Sequence, residues 1–244
     1  MLAPPILAST AGNCRTMALQ SRQMTEIIVI DPIDTTHEGP SAPGPSGERQ
    51  MIHLTQGSLD GACGPYSLMM ALLICGVVDR NQATAYGPVD RRKPLGRLLG
   101  EWHRLGPLVK CGTGPRQLAD LLARTYGRYI ESDFNAGSGA DLRPFIEAQI
   151  CINHPVLLAI SYHRGGHWVV VIGLEYEITE ESRNLCRFLV LDPAAKTPPV
   201  CAWNGVIDAR GGGGRYPFTW WTGGKTVQFS FALSLWPRKN SHDE

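Results

Sequence analysis

Three short segments of this sequence carry side chains whose types and order suit acyl transfer. They run Gln56-Gly-Ser-Leu-Asp-Gly-Ala-Cys63-Gly-Pro-Tyr, Gly165-Gly-His167-Trp-Val-Val-Val-Ile-Gly and Phe188-Leu-Val-Leu-Asp192-Pro. Cys63 falls where a glycine-bearing turn enters a long apolar run, so its sulfur is expected at the positive end of a helix, a setting that favours the thiolate. His167 follows two glycines and opens a strand, and imidazole is the side chain suited to taking and returning a proton near neutrality. Asp192 ends a neighbouring strand, from which a carboxylate can hold the other ring nitrogen and fix its tautomer. Gln56, just upstream, is the expected side-chain donor to an oxyanion, beside the Cys63 backbone N–H.

Competing residues fit these roles less well. Cys75 lies on the apolar run and reads as core filler, and Cys14, Cys111, Cys151, Cys186 and Cys201 lack a capping turn. His163 is the rival base, but His167 directly precedes the Val-Val-Val-Ile strand and so rides on a rigid element. His53, His103 and His154 read as solvent-facing or satisfied structural histidines, and Glu175, Glu177 and Asp208 are alternatives to Asp192. No metal site is expected: His163 and His167 are four apart, but Arg164-Gly165-Gly166 between them disfavours a helix, and no Cys-x-x-Cys pair occurs. No cofactor motif is present either, since the run Gly211 to Gly214 lacks the Lys-Ser/Thr of a phosphate loop and reads as a mobile loop, with a lid or a substrate rim as its candidate uses.

The elements that must position these residues follow from periodicity. Cys63 to Cys75 is apolar nearly all round and stops at Gly76, as a buried helix would. Leu95, Leu98, Leu99, Trp102 and Leu105 repeat at helical spacing after Pro94, and Leu118, Leu121, Leu122 and Tyr126 do so after Thr113 and Pro115. A fourth helix carries Leu142, Phe145, Ile146 and Ile150. From Pro155 the period changes: 155–162, 167–177, 187–191 and 227–236 are rich in Val, Ile, Phe, Tyr and Trp between Gly, Asn and Pro clusters, which is strand chemistry. Helices followed by strands predict an α+β domain with an antiparallel sheet. Upstream, Glu26 to Ile30 reads as a strand and Thr35 to Gln50 as a Pro/Gly-rich linker. Residues 1–50 are therefore expected to be an extension and residues 51–244 the domain.

In their order, Gln56, Cys63-Gly, His167 and Asp192 resemble the papain-like cysteine peptidases, above all the compact bacterial leader peptidases and effector proteases; the Cys63-Gly-Pro and Asp192-Pro pairs resemble the leader-peptidase type. The resemblance covers roughly Met51 to Trp236. It implies a papain-like fold: an N-terminal helical half, with the nucleophile on a buried helix, packed on a C-terminal antiparallel β-sheet. An inserted hairpin tip is expected near Glu180 to Asn184. The implied activity is a thiol protease with Cys63, His167, Asp192 and Gln56 as its catalytic residues, acting on a protein or peptide substrate. A glutamine deamidase or acyltransferase, in the manner of a delivered effector or toxin, uses the same chemistry, and an inactive peptide-binding module is the rival from another class.

Composition narrows the classes. The 244 residues are 43% hydrophobic and 18% charged, with 23 Lys+Arg against 22 Asp+Glu. That balance argues against disorder and against general electrostatic binding of nucleic acid. No apolar run approaches the roughly 18–20 residues of a spanning helix. Seven cysteines and an N-terminus without a basic n-region point to reduced thiols and a cytoplasmic protein, or one delivered into a target cell without a classical signal peptide. Oligomeric state is left open.

Overall fold

The most apolar stretches of the chain become the longest strands and the most buried helix. A computed structural model describes residues 24–57, 61–87, 89–104, 112–210 and 213–239. The readings placed on Cys14, Leu105, Cys111 and the first glycines of the Gly211 run lie outside the described residues.

The strands are β1 (Met24–Val29), β2 (Asp34–Thr36), β3 (Gly39–Pro43), β4 (Arg49–Met51), β5 (Ile130–Asn135), β6 (Val156–Tyr162), β7 (Gly165–Ile178), β8 (Arg183–Leu191), β9 (Gly205–Asp208), β10 (Phe218–Trp220) and β11 (Lys225–Pro237). The helices are α1 (Cys63–Ile74), α2 (Arg80–Thr84), α3 (Pro94–Arg104), α4 (Pro115–Tyr126) and α5 (Arg143–Cys151), the last entered through a 3-10 turn at Gly139–Leu142.

Strands β7, β6, β11, β10, β9 and β8 pair in that order, and β8 pairs back onto β7. The ring is a closed six-stranded antiparallel barrel, with β1 and β5 as two further strands outside it. This corrects the expected papain-like α+β arrangement of a helical half on an open sheet. Alternation identifies which residues face the core, but nothing in it says that the first and last strands meet. Closure depends on β9 and β10, four and three residues long, too short to stand out by composition.

The two long strands each serve more than one partner. Along β7 the antiparallel neighbour passes from β6, at Gly165–Val171, to β1, at Gly173–Ile178, while β8 runs on its other edge. Gly173 makes that exchange sterically possible, because a Cβ there would collide with the Ile28 carbonyl oxygen. On β11 the partners are β10, β6 and β5. Barrel strands with one face inward and the other under helices should be apolar on both faces. That holds for β6 and β7, where Val156–Ile160 and His167–Leu174 are buried throughout. Phe188 of β8, Phe218 of β10 and Phe229 of β11 meet one another, the last two stacked with centroids 3.8 Å apart.

The run from Thr35 to Gln50, expected as a linker, instead forms the three-stranded sheet β2-β3-β4. Pro40, Ser41 and Ala42 are buried, β3 lies against α1, and Gln50 donates to the Val78 carbonyl at 2.8 Å. Proline and glycine content is a poor guide here because the residues of β3, the central strand of this sheet, are small enough to sit under α1. Among the described residues no helix is long and apolar enough to cross a membrane.

Candidate active site

The first turn of α1 positions Cys63. Cys63 is its first residue and is 8% exposed. Ala62 occupies the cap and offers no side-chain acceptor, so the leading N–H groups of the helix have no side-chain cap. Gly64 lets the turn approach β7: a Cβ there would lie 3.2 Å from the Trp168 ring and 3.1 Å from Thr113. Trp168 is held in place by donating from Nε1 to the Thr113 carbonyl at 2.9 Å.

Successive strand residues point to opposite faces. With Trp168 turned toward α1, His167 turns the other way, onto the indole of Trp220, with ring centroids 4.8 Å apart. Phe188, Val190 and Asp192 alternate along and just beyond β8, as Phe218 and Trp220 do along β10, so the acid, the indole and the imidazole converge at one end of the barrel. His167 Nε2 lies 2.7 Å from Asp192 Oδ1. The same oxygen accepts from the Ala194 N–H at 2.9 Å, and Asp192 Oδ2 accepts from Trp220 Nε1 at 3.0 Å. Asp192 is fully buried, so its carboxyl oxygens are satisfied by these donors rather than by water.

Cys63, at the head of α1, lies near enough to His167 to raise the proton affinity of its ring. Burial of His167 favours the neutral ring, but the hydrogen bonds and charges of Asp192 and Cys63 outweigh it and push the imidazolium up to about 9. Cys75, at the other end of α1, is the contrasting thiol: burial alone pushes it far up, and it stays protonated.

Cys63, His167 and Asp192 are therefore brought together from α1, β7 and the end of β8. Gln56 joins them through its backbone, donating its N–H to the Pro193 carbonyl at 2.8 Å, while its buried Oε1 has no hydrogen-bond partner. His163 sits exposed in the β6–β7 turn, and that hairpin is followed by one turning at Thr179–Ser182. Glu175 and Asp208, the alternative acids, are occupied elsewhere by Arg187, and Glu177 faces Arg210.

Trp220, whose sequence context suits first a core filler and second a shield over His167 and Asp192, donates to Asp192 and stacks on His167. Two further contacts of Asp192 have no counterpart in the sequence reading. His53 and Asn204 both touch Asp192: His53 Nε2 lies 3.1 Å from its carbonyl oxygen, and Asn204 accepts from its N–H and donates to its carbonyl. No local signal marks these two contacts. In comparison with known proteins, no family model matches the chain, and no curated protein sequence does.

Proposed function

We propose that this chain is a thiol hydrolase that cleaves peptide bonds in a protein or peptide substrate through a thioester on Cys63. The observation that carries this reading is the buried pair in which His167 Nε2 lies 2.7 Å from Asp192 Oδ1, with Cys63 near enough to raise the proton affinity of the same ring. The Cys63 sulfur attacks the substrate carbonyl, and the resulting oxyanion takes the Cys63 backbone N–H and the Gln56 amide as donors. His167 passes its proton to the leaving amine as the tetrahedral adduct collapses to the thioester. It then takes a proton from water, whose oxygen attacks the thioester carbonyl and releases the acid, leaving the Cys63 thiolate beside the recharged imidazolium. Asp192 holds the ring and stabilises its charged form, and Trp220 excludes water from the bond between them.

The order of Gln56, Cys63, His167 and Asp192 is what this reading shares with papain-like peptidases; the barrel does not enter it. A side-chain amide would undergo the same acyl chemistry with ammonia as leaving group. The test incubates a complex peptide mixture with wild type and with Cys63→Ser, and follows new termini by mass spectrometry. New termini from wild type, with Cys63→Ser reduced by several orders of magnitude in a folded state, are expected. Loss of ammonia from glutamines without new termini would move the reading to deamidation. Equal turnover by folded Cys63→Ser would remove Cys63 from the mechanism.

A further inference from the structure

Asp192 is the last residue before the chain leaves β8 for the turn at Pro193, so its peptide groups have left the strand ladder and need other partners. Asn204 supplies them. Its Oδ1 accepts from the Asp192 N–H at 2.6 Å, and its Nδ2 donates to the Asp192 carbonyl at 2.9 Å and to the Lys196 carbonyl at 3.1 Å. Its own N–H returns to the Val190 carbonyl at 3.2 Å. One amide side chain thus closes on both polar groups of one residue, which leaves the Asp192 backbone a single orientation. Gly205 follows at once, and a Cβ there would press within 3.4 Å of the Asp192 Cβ, so the clamp lies close against the acid.

His53 completes the arrangement from the opposite side. It is 1% exposed, with Nε2 3.1 Å from the Asp192 carbonyl and Nδ1 2.9 Å from Thr197 Oγ1. A carbonyl only accepts, so Nε2 carries the proton and Nδ1 accepts from the Thr197 hydroxyl. Asn204 Nδ2 also lies 2.9 Å from Nε2, with its own protons directed to the Asp192 and Lys196 carbonyls. Arg80 donates to the Met51 and His53 carbonyls at 2.9 and 2.8 Å, fixing the backbone from which the imidazole extends. Three residues further on, the Gln56 N–H bonds Pro193. The segment from His53 to Gln56 and the turn from Asp192 to Thr197 are therefore stitched together at three points.

We propose that His53 and Asn204 are positioning residues that lock the Asp192 turn and the Gln56 segment into one unit, so that the carboxylate stays beneath His167 and the oxyanion donor keeps its place. This rests on the reading of Cys63, His167 and Asp192 as a hydrolytic relay. Neither residue touches the sulfur or the imidazole of His167; each acts through the Asp192 peptide. The groups facing the His53 ring are Asp192, Thr197 and Asn204, and Arg80 is the nearest cation. Burial keeps its imidazole neutral, with Arg80 adding to that effect.

The experiment is an NMR titration of the His167 ring in the full chain labelled at histidine, with turnover measured in parallel on whatever peptide the wild type cleaves. His53→Ala and Asn204→Ala are expected to weaken proton binding at His167 about tenfold, a fall of about one unit in its midpoint, because the carboxylate drifts from Nε2. His53→Gln, whose amide N–H can reach the same carbonyl, is expected to restore the wild-type midpoint. Turnover should follow, with kcat reduced about tenfold and KM held. A role in stability alone would lower the melting temperature and leave the midpoint where it was. Should His53→Ala fail to fold, Asn204→Ala and Thr197→Val, which retain His53, decide the matter, and an unmoved midpoint in both overturns the proposal. The midpoint is read without any substrate, so a chain that cleaves nothing refutes the hydrolase reading while the clamp is judged separately.

Discussion

Replacing His167 by glutamine is expected to abolish a pH-dependent part of the protein's stability. The imidazole titrates at 6.5 in an unfolded chain and at about 9 in the folded one. The folded state binds the proton more tightly, so between those values unfolding releases it and stability falls as pH rises. The contribution is fully present below pH 6.5 and gone above about 9. At about 1.36 kcal/mol per unit, the difference corresponds to roughly 3 kcal/mol. His167→Gln keeps a hydrogen-bond donor toward Asp192 Oδ1 but has nothing to titrate in this window. Urea unfolding of wild type and variant at half-unit steps from pH 5.5 to 10 would isolate the effect, because every other group appears in both curves. The wild-type curve should descend relative to the variant by about 3 kcal/mol across that interval. Parallel curves would show that Asp192 and Cys63 do not hold the imidazolium, and the relay inferred from their geometry would fail with them.

Trp220→Phe retains a ring over His167 but removes the donor to Asp192 Oδ2; it is expected to lower unfolding stability by about 1.5–3 kcal/mol, the range for a hydrogen bond to a charged group, measured by chemical denaturation. Gly173→Ala would drive a methyl group into the Ile28 carbonyl where β1 takes over from β6, and a loss of about 1–3 kcal/mol with increased amide exchange confined to β1 and its partner is expected. A chain beginning at Gln50 lacks β1 to β3 and with them the fully buried Ile30 and Ala42, so it should melt well below the full chain or fail to fold; an unchanged melting temperature would show these strands to be dispensable.

Individual elements were more legible than their assembly. The apolar run after Cys63, the leucine spacing from Leu95 and from Leu118, and the valine-rich strand after His167 all mark elements whose ends fall close to those expected, because burial imposes a period on the side chains. Cys63, His167 and Asp192, picked out by residue type and order, do come together in the fold, while the Gln56 side-chain oxygen has no hydrogen-bond partner there. What pairs with what was not legible. The β7–β8 hairpin is local, but the contacts of β11 with β5 and β6, and of β1 with β7, join segments far apart in sequence, and no pattern within either strand names its partner. Thr35 to Gln50 shows the opposite failure, in which composition overrode position: glycine and proline suggest a linker until α1 is there to cover them. His53 reads from sequence as solvent-facing or satisfied and is the latter, but its tie to Asp192, like that of Asn204, was not legible because it depends on a turn that only the folded chain creates.

The pairing of β1 with the far half of β7 has a consequence for biosynthesis. Met24 meets Ile178, so the partner of β1 emerges from the ribosome about 150 residues after it. At roughly 5–20 residues per second, that is a delay on the order of 10–30 s during which Ile27, Ile28 and Val29 have no strand to join. Throughout that interval the nascent chain displays an unsatisfied strand near its start, at the stage when a second nascent chain on the same message is close by. A holding chaperone, or slow clearance of neighbouring ribosomes, would therefore matter more to the yield of this protein than to that of a chain whose first strand closes a local hairpin.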